Sequence, residues 1–325
     1  MTDFHGLLGC SAPMQRAFRR IEDLAESPVP LLILGETGTG KDLCARAVAE
    51  IAGMERAFLT LNCAALGHSL VDSELFGHRR GAFTGAVRDH TGLLQQAHGG
   101  ILFLDEIAEL PLSTQAKLLR AVESGRFRPV GGEAYRISEF RLIAATNAEL
   151  EQRVERGAFR ADLYHRLGAA RIRLPPLRDR GEDIKRLARH FLEQTQVRSE
   201  TPCPGSFSAA ALELLATYTW PGNVRQLKNV VEAAAALARG HAEIDRRELQ
   251  GLLTAAPTGA RHTPPDLDLT EVVRRAELEA IRAALVRTGG HRGKAAALLG
   301  ISRATLYRRL ELADEEDGPA ATRTA

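Results

Sequence analysis

Gly35-Glu36-Thr37-Gly38-Thr39-Gly40-Lys41 has the G-x-x-x-x-G-K spacing of a phosphate-binding loop, lying between an apolar run and a helical pattern. In such a loop the glycines let backbone N–H groups curl around phosphate oxygens, and the helix N-terminus adds positive potential. The lysine reaches the outer phosphates. A plain glycine turn would need neither the lysine nor this spacing. The residues from Gly35 to Asp42 are therefore expected to hold a nucleoside triphosphate.

One position departs from the general pattern. The Ser or Thr that usually follows the lysine and touches Mg²⁺ is Asp42. A carboxylate there can hold the ion through water or cap the helix N-terminus. The second role is expected, because another acid is available for the metal. The run Ile101-Leu102-Phe103-Leu104 ends in Asp105-Glu106, and acids at the C-terminal end of such a strand sit beside the phosphates. Asp105 is expected to hold Mg²⁺, and Glu106 to orient and deprotonate the attacking water. Two surface carboxylates at a strand end are the plainer alternative, and the upstream phosphate loop weighs against it.

These residues need a sheet to carry them. Pro30 to Leu34, Phe58 to Leu61, Ile101 to Leu104 and Arg141 to Ala145 read as strands. Helical spacing separates them, as in Leu43, Ala47, Val48 and Ile51, which implies an α/β unit with a mainly parallel sheet. The pattern breaks at Leu174-Pro175-Pro176-Leu177. Residues 182–253 look all-helical, punctuated at Thr201-Pro202-Cys203-Pro204-Gly205 and at Trp220-Pro221-Gly222-Asn223. The expected organisation is an α/β unit over 6–180, a helical lid over 181–252 and a linker over 253–268. A helical unit over 269–313 and a solvated tail over 314–325 complete it.

The 325 residues are 44% hydrophobic and 26% charged, with a net charge of +2, an ordinary globular balance that names no partner. Cys10, Cys44, Cys63 and Cys203 show no paired spacing, so isolated buried thiols in a reducing compartment are expected rather than a zinc site or disulfide framework. No secretion signal opens the chain, and no apolar stretch has the ~18 residues of a membrane helix. A cytoplasmic protein without membrane insertion follows.

Gly81-Ala82-Phe83-Thr84-Gly85-Ala86, preceded by Glu74-Leu75-Phe76-Gly77-His78, resembles the signature of the sigma-54-dependent transcription activators. The likeness continues through Asn62-Cys63-Ala64-Ala65, Gly99-Gly100, Ala145-Thr146-Asn147 and Phe159-Arg160-Ala161-Asp162-Leu163. It resumes at Leu174 to Arg178 and at Trp220 to Arg225, and so covers about residues 6 to 240 plus the C-terminal unit. The resemblance implies an AAA+ P-loop ATPase, using ATP and Mg²⁺, with a parallel sheet and a helical lid. It implies assembly from dimers into a ring, usually a hexamer. Arg160 and Arg166 match the family's arginine fingers, Asn147 its strand-end sensor and Arg225 its lid sensor on the nucleotide. Asn62 matches a switch residue that exchanges a hydrogen bond with Glu106.

The hexapeptide also has its own physical logic. Gly77, Gly81 and Gly85 permit cheap backbone change, and an exposed Phe83 has a cost that a partner would remove. A Phe anchoring the loop into the core is the bland alternative. By resemblance, Gly81 to Ala86, led by Phe83 and Thr84, contact the sigma-54 RNA polymerase, and Arg126 to Arg136 form a second loop moving with the first.

Gly293 to Leu310 reads as helix, glycine turn, helix, with Ala296, Leu299, Ile301 and Leu306 placed to pack the two together. Arg292, Lys294, Arg303, Arg308 and Arg309 supply five cations between His291 and Leu310, with no acid among them. A basic second helix beginning at Ser302 suits entry into a major groove, with Thr305 and Tyr307 alongside the cations. The segment resembles the small all-α helix-turn-helix domain of these activators, which binds duplex DNA upstream of promoters. A dimerisation hairpin with a solvated basic face is the alternative, and the amphipathic 269–287 segment suits pairing. ATPase-like sequence is reached by Leu7-Leu8-Gly9, which resembles the subgroup without an N-terminal regulatory domain, such as the phage-shock activator controlled by a separate protein. The rival readings are an AAA+ machine remodelling other DNA or protein, which would not need the Phe83 loop, and a repressor using nucleotide only structurally, which Glu106 argues against.

Overall fold

The computed structural model describes residues 2–198, 203–253, 288, 291–299, 301 and 306. The chain divides into two compact units, Met1–Thr254 and Ala255–Ala325.

The first unit opens on a hairpin, β1 (Thr2–Phe4) with β2 (Leu7–Gly9), followed by α1 (Ala12–Ala25). Then come β3 (Leu31–Leu34), α2 (Lys41–Ile51), β4 (Phe58–Asn62), α3 (His68–Phe76), α4 (Leu93–Gln96) and β5 (Ile101–Asp105). After α5 (Leu112–Ser124), a small hairpin pairs β6 (Arg126–Phe127) with β7 (Arg136–Ile137). The series continues through β8 (Arg141–Thr146), α6 (Leu150–Glu155), α7 (Ala161–Leu167) and β9 (Ala170–Arg173).

Five strands form one parallel sheet in the order β4-β5-β8-β3-β9. Alternation along the strands gives it two buried faces. Leu32, Leu102, Leu104, Leu142 and Ala144 pack on one side, and Leu31, Ile33, Ile101, Phe103, Ile143 and Ala145 on the other. The strands expected from sequence are present. The fifth strand, β9, is not among them: its Ala-Arg-Ile-Arg sequence lies at the sheet edge, where alternate positions meet solvent, so it carries no apolar run to mark it.

The lid follows as α8 (Asp183–Arg198), α9 (Ala209–Thr217), α10 (Asn223–Leu237) and α11 (Arg246–Gln250). It is not purely helical, since β10 (Ser206–Phe207) pairs in parallel with β11 (Glu243–Ile244) between α8 and α9 and between α10 and α11. Trp220 is fully buried among the lid helices and donates its indole N–H to the Leu215 carbonyl at 2.8 Å.

All four cysteines are free; Cys44 and Cys63 are buried, whereas Cys10 and Cys203 are only partly so. Burial raises both inner thiols, Cys63 to about 12, so neither is a ready nucleophile. In the second unit the described residues include a helix over Arg292–Leu298, with Ala296 and Leu306 buried and Lys294 exposed. The expected contacts of Ser302, Arg303, Thr305, Tyr307, Arg308 and Arg309, the 269–287 segment, most of the linker and the tail lie outside the described residues.

Candidate functional site

The phosphate loop joins the C-terminal end of β3 to the start of α2, where an open α/β sheet leaves a crevice. Gly38 and Gly40 take φ values of 79° and 100°. A side chain at Gly38 would put its Cβ 2.3 Å from the Gly222 carbonyl oxygen, so glycine is required by contact as well as by conformation. Lys41 is 7% exposed, and its Nζ donates to the Gly35 carbonyl at 3.0 Å and to the Glu36 carbonyl at 3.5 Å.

Asp105 ends β5, and burial followed by the adjacent Glu106 charge pushes its carboxyl above the usual range. Glu106 then leaves the strand in a left-handed conformation, φ 51° and ψ 49°. Non-glycine residues seldom adopt it, and its effect here is to turn the carboxylate back toward the loop. Glu106 Oε1 lies 3.7 Å from Lys41 Nζ, and Oε2 accepts from the Asn147 backbone N–H at 3.3 Å. Asn147 also donates its Nδ2 to Thr37 Oγ1 at 2.8 Å. Lys41, Asp105, Glu106 and Asn147, expected from three separate stretches of sequence, thus gather at one loop.

Asn62 is found in one position of its expected exchange, and the expected cap role of Asp42 is corrected. Asn62 does not bond Glu106: its Nδ2 lies 3.5 Å from Asp105 Oδ2, and its Oδ1 accepts from the Ala64 and Ala65 amides. The cause is register, since Asn62 and Asp105 are direct partners across β4 and β5, whereas Glu106 has already turned away. Asp42 does not cap α2 either. Gly40 occupies the cap, so Asp42 is already in the first helical turn, exposed, where it faces a small cavity shared with Asn62 and Asp105.

Arg160 and Arg166 sit apart from this cluster. Both are exposed on or beside α7, and among the described residues no hydrogen bond or ion pair joins them to the phosphate loop of their own chain. Arg160 makes a two-pronged contact with Asp162 at 3.1 and 2.7 Å, while its backbone N–H is held by buried Gln115 at 2.9 Å.

Sequence reasoning missed how the lid holds the loop. Gly38 accepts the Val224 and Arg225 backbone amides at 3.0 and 3.3 Å, so the N-terminus of α10 abuts the phosphate loop and brings Arg225 to it. Asn223, fully buried with φ 51°, donates to the Thr37 carbonyl and to Glu36 Oε2, and accepts from the Leu177 amide. Arg178 grips Glu36 at 2.6 and 2.9 Å and holds that carboxyl below its usual value. Buried Arg180 donates to the Thr39 carbonyl at 3.0 Å, and burial lowers its pKa to about 10. The residues themselves stood in recognisable motifs; only their partners were hidden.

The Phe83 loop rises from an isolated bridge between His78 and His90. It closes on itself through a bond from the Gly81 amide to the Ala86 carbonyl at 2.9 Å, with Ala86 buried and Gly81, Thr84 and Gly85 exposed. Phe83 is 39% exposed and rests its ring edge-on against His78, 4.9 Å between centroids, rather than anchoring in the core. The second loop is tied to the base of the first: Arg79 donates to the Val130 carbonyl at 3.0 Å, and Val130 to the Gly77 carbonyl at 2.8 Å.

Residues 7–173 match the Sigma-54 interaction domain family, 178–264 the AAA+ ATPase lid domain and 272–311 the bacterial regulatory proteins of the Fis family. The transcriptional regulatory protein ZraR of Escherichia coli (strain K12) is 44% identical over 306 residues, covering 94% of this chain and 68% of that relative. The DNA-binding transcriptional regulator NtrC of Rhizobium meliloti (strain 1021) is 40% identical over 334 residues, covering 94% and 69%. Among solved structures, NtrX from Brucella abortus in complex with ADP is similar with a TM-score of 0.71 at 34% identity, covering 94% of this chain and 68% of that one. The same protein in complex with ATP gives a TM-score of 0.68 at 34% identity, covering 94% and 69%. With a nucleotide loop clasped by its lid and an aromatic-tipped loop raised on the same α/β unit, matched by these family models and relatives, the chain belongs to the sigma-54-dependent transcription activators, as an AAA+ ATPase.

Proposed function

We propose that this chain assembles into a ring, a hexamer built from dimers, that binds duplex DNA upstream of a promoter. There it uses ATP hydrolysis to convert the closed complex of sigma-54 RNA polymerase into an open one. The observation that carries this reading is Phe83, an aromatic held in solvent on a self-bonded loop whose base is tied to the second loop. Sigma-54 contact is assigned to Gly81, Ala82, Phe83, Thr84, Gly85 and Ala86. Cytoplasmic location follows from work on DNA-bound polymerase, and among the described residues no helix is long and apolar enough to cross a membrane.

In hydrolysis, residues 35 to 42 bind the phosphates and Lys41 exchanges its loop carbonyls for the outer phosphate oxygens. Glu106, aimed by Asn147 and Lys41, accepts the proton of the attacking water. The half-buried carboxylate of Asp105 and the exposed one of Asp42, both on one cavity, are oxygen donors of the kind Mg²⁺ takes, and the ion bound there would neutralise charge on the phosphates. Asp105, with Asp42 beside it, would hold the ion. Arg225 reads the nucleotide from the lid, Asn147 from the sheet, and Asn62 acts as the switch through its bond to Asp105. Arg160 and Arg166, turned away from their own loop, act on the neighbouring subunit's phosphates. Arg292, Lys294, Ser302, Arg303, Thr305, Tyr307, Arg308 and Arg309 contact DNA. Control by a separate protein, as in the phage-shock activator, rests on sequence resemblance alone.

In vitro transcription from a sigma-54 promoter tests the reading. ATP is expected to support open complexes and a non-hydrolysable analogue to fail. Thr84→Ala is expected to hydrolyse ATP at close to the normal rate yet open no promoter; normal activation by Thr84→Ala would sink the assignment of this loop.

A further inference from the structure

Arg126-Phe127-Arg128 alternates cation and apolar residue, so the β6 hairpin buries Phe127 and turns Arg126 and Arg128 to solvent. On α5, Lys117 and Arg120 lie one helical turn apart. These four cations, with Phe76 and Tyr135, line a cavity of about 310 Å³. Asp72 neutralises Lys117 at 2.7 Å, but the guanidinium groups of Arg120, Arg126 and Arg128 have no carboxylate partner among the described residues. Arg128 instead stacks over the Tyr135 ring, 4.0 Å from its centroid, and Tyr135 remains 55% exposed. Three arginines without a carboxylate partner, beside a half-exposed aromatic, form a positive field that attracts an anion.

The chemistry distinguishes among anions. An acidic peptide satisfies arginines but makes no use of the exposed ring, and a duplex keeps its bases stacked inside. An unpaired strand offers both phosphates for the guanidinium groups and a base face for the tyrosine. We propose that this cavity binds unpaired DNA, with phosphates on Arg120, Arg126 and Arg128 and a base stacked on Tyr135. The proposal rests on the reading above that the chain opens promoters, since opening is what supplies such a strand. Val130, in the cavity wall, is hydrogen-bonded to the base of the Phe83 loop, so a strand held here is coupled to that loop.

The test uses the full chain and a fluorescent 12-nucleotide oligo-dT, with a duplex of unrelated sequence and polyglutamate as competitors. Oligo-dT is expected to bind with a salt slope of about −2, as for three phosphate contacts on a single strand. Tyr135→Ala is expected to weaken it roughly 5- to 150-fold and Tyr135→Phe to restore it, with ATP hydrolysis unchanged in both. A 5-bromodeoxyuridine strand should photo-cross-link to the segment carrying Tyr135. Equal binding by wild type and an Arg120→Ala, Arg128→Ala double variant would overturn the proposal. So would competition by polyglutamate or duplex as effective as by unlabelled oligo-dT, or cross-links confined to 272–311. Promoter opening by the same preparations separates the two readings: its absence with strand binding intact overturns promoter opening, and its presence without strand binding overturns the cavity assignment.

Discussion

Asn223, the first residue of a lid helix, donates its side-chain amide to the carbonyl of Thr37 in the phosphate loop, 3.0 Å away across 186 positions of sequence. The same side chain reaches Glu36 and the Leu177 amide, so one buried residue holds loop, lid and the segment between them. The left-handed backbone that points it there is one that asparagine adopts more cheaply than alanine does.

Asn223→Ala is expected to destabilise the protein by roughly 2–4 kcal/mol, from an unsatisfied buried amide plus backbone strain. Asn223→Gly should recover the strain part but not the hydrogen bonds. Urea unfolding of both variants checks this, and equal stability of the two would show that the backbone conformation is not strained.

Glu106→Gln should retain ATP binding while hydrolysis falls by about 10²–10⁴, the range for a lost general base. Asp105→Asn should also stop Mg²⁺-dependent turnover, while raising the stability of the fold. A carboxyl whose pKa is higher folded than unfolded works against folding once ionised, so at neutral pH its removal stabilises. Thermal unfolding at pH 7 without nucleotide is the check; a midpoint below wild type contradicts the argument.

Asp183 clasps the start of α1 from the lid, accepting from Ser11 Oγ at 2.6 Å and from the Cys10 and Ser11 amides. Burial alone would raise its pKa, and these donors outweigh burial and lower it. The stabilisation is therefore fully present above the ordinary carboxylate range and lost as pH falls below about 4. Asp183→Asn is expected to cost roughly 1.5–3 kcal/mol at pH 7 and to flatten the loss of stability between pH 4 and pH 2. Denaturant unfolding across that interval measures it, and an unchanged slope counts against the clasp.

Arg160→Ala and Lys41→Ala should each be nearly inactive alone. If the arginine acts on a neighbour, mixing the two inactive proteins should restore part of the ATPase activity, because some interfaces pair an intact loop with an intact arginine. Arginine fingers are worth about 10³–10⁵ in turnover, so even a small fraction of such interfaces is measurable. No recovery in mixed rings confirmed by light scattering would place Arg160 outside the site.

Residue order by itself determined the devices that work within a few positions. The phosphate loop between strand and helix, the acids at the end of β5, the Phe83 hexapeptide and the apolar strands are local in sequence, and their physics is local. Tertiary structure decided who partners whom. Glu36 meets Arg178 across 142 positions and Asn223 across 187, while Asn62 pairs with Asp105 because two strands align in register. The left-handed turn at Glu106, which points its carboxylate away from Asn62 and toward Lys41, has no marker in residue type. The placement of Gly40 rather than Asp42 at the helix cap depends on where the chain enters α2. Such contacts join groups whose order along the chain carries no distance information, and only the packed sheet and lid bring them within hydrogen-bonding reach.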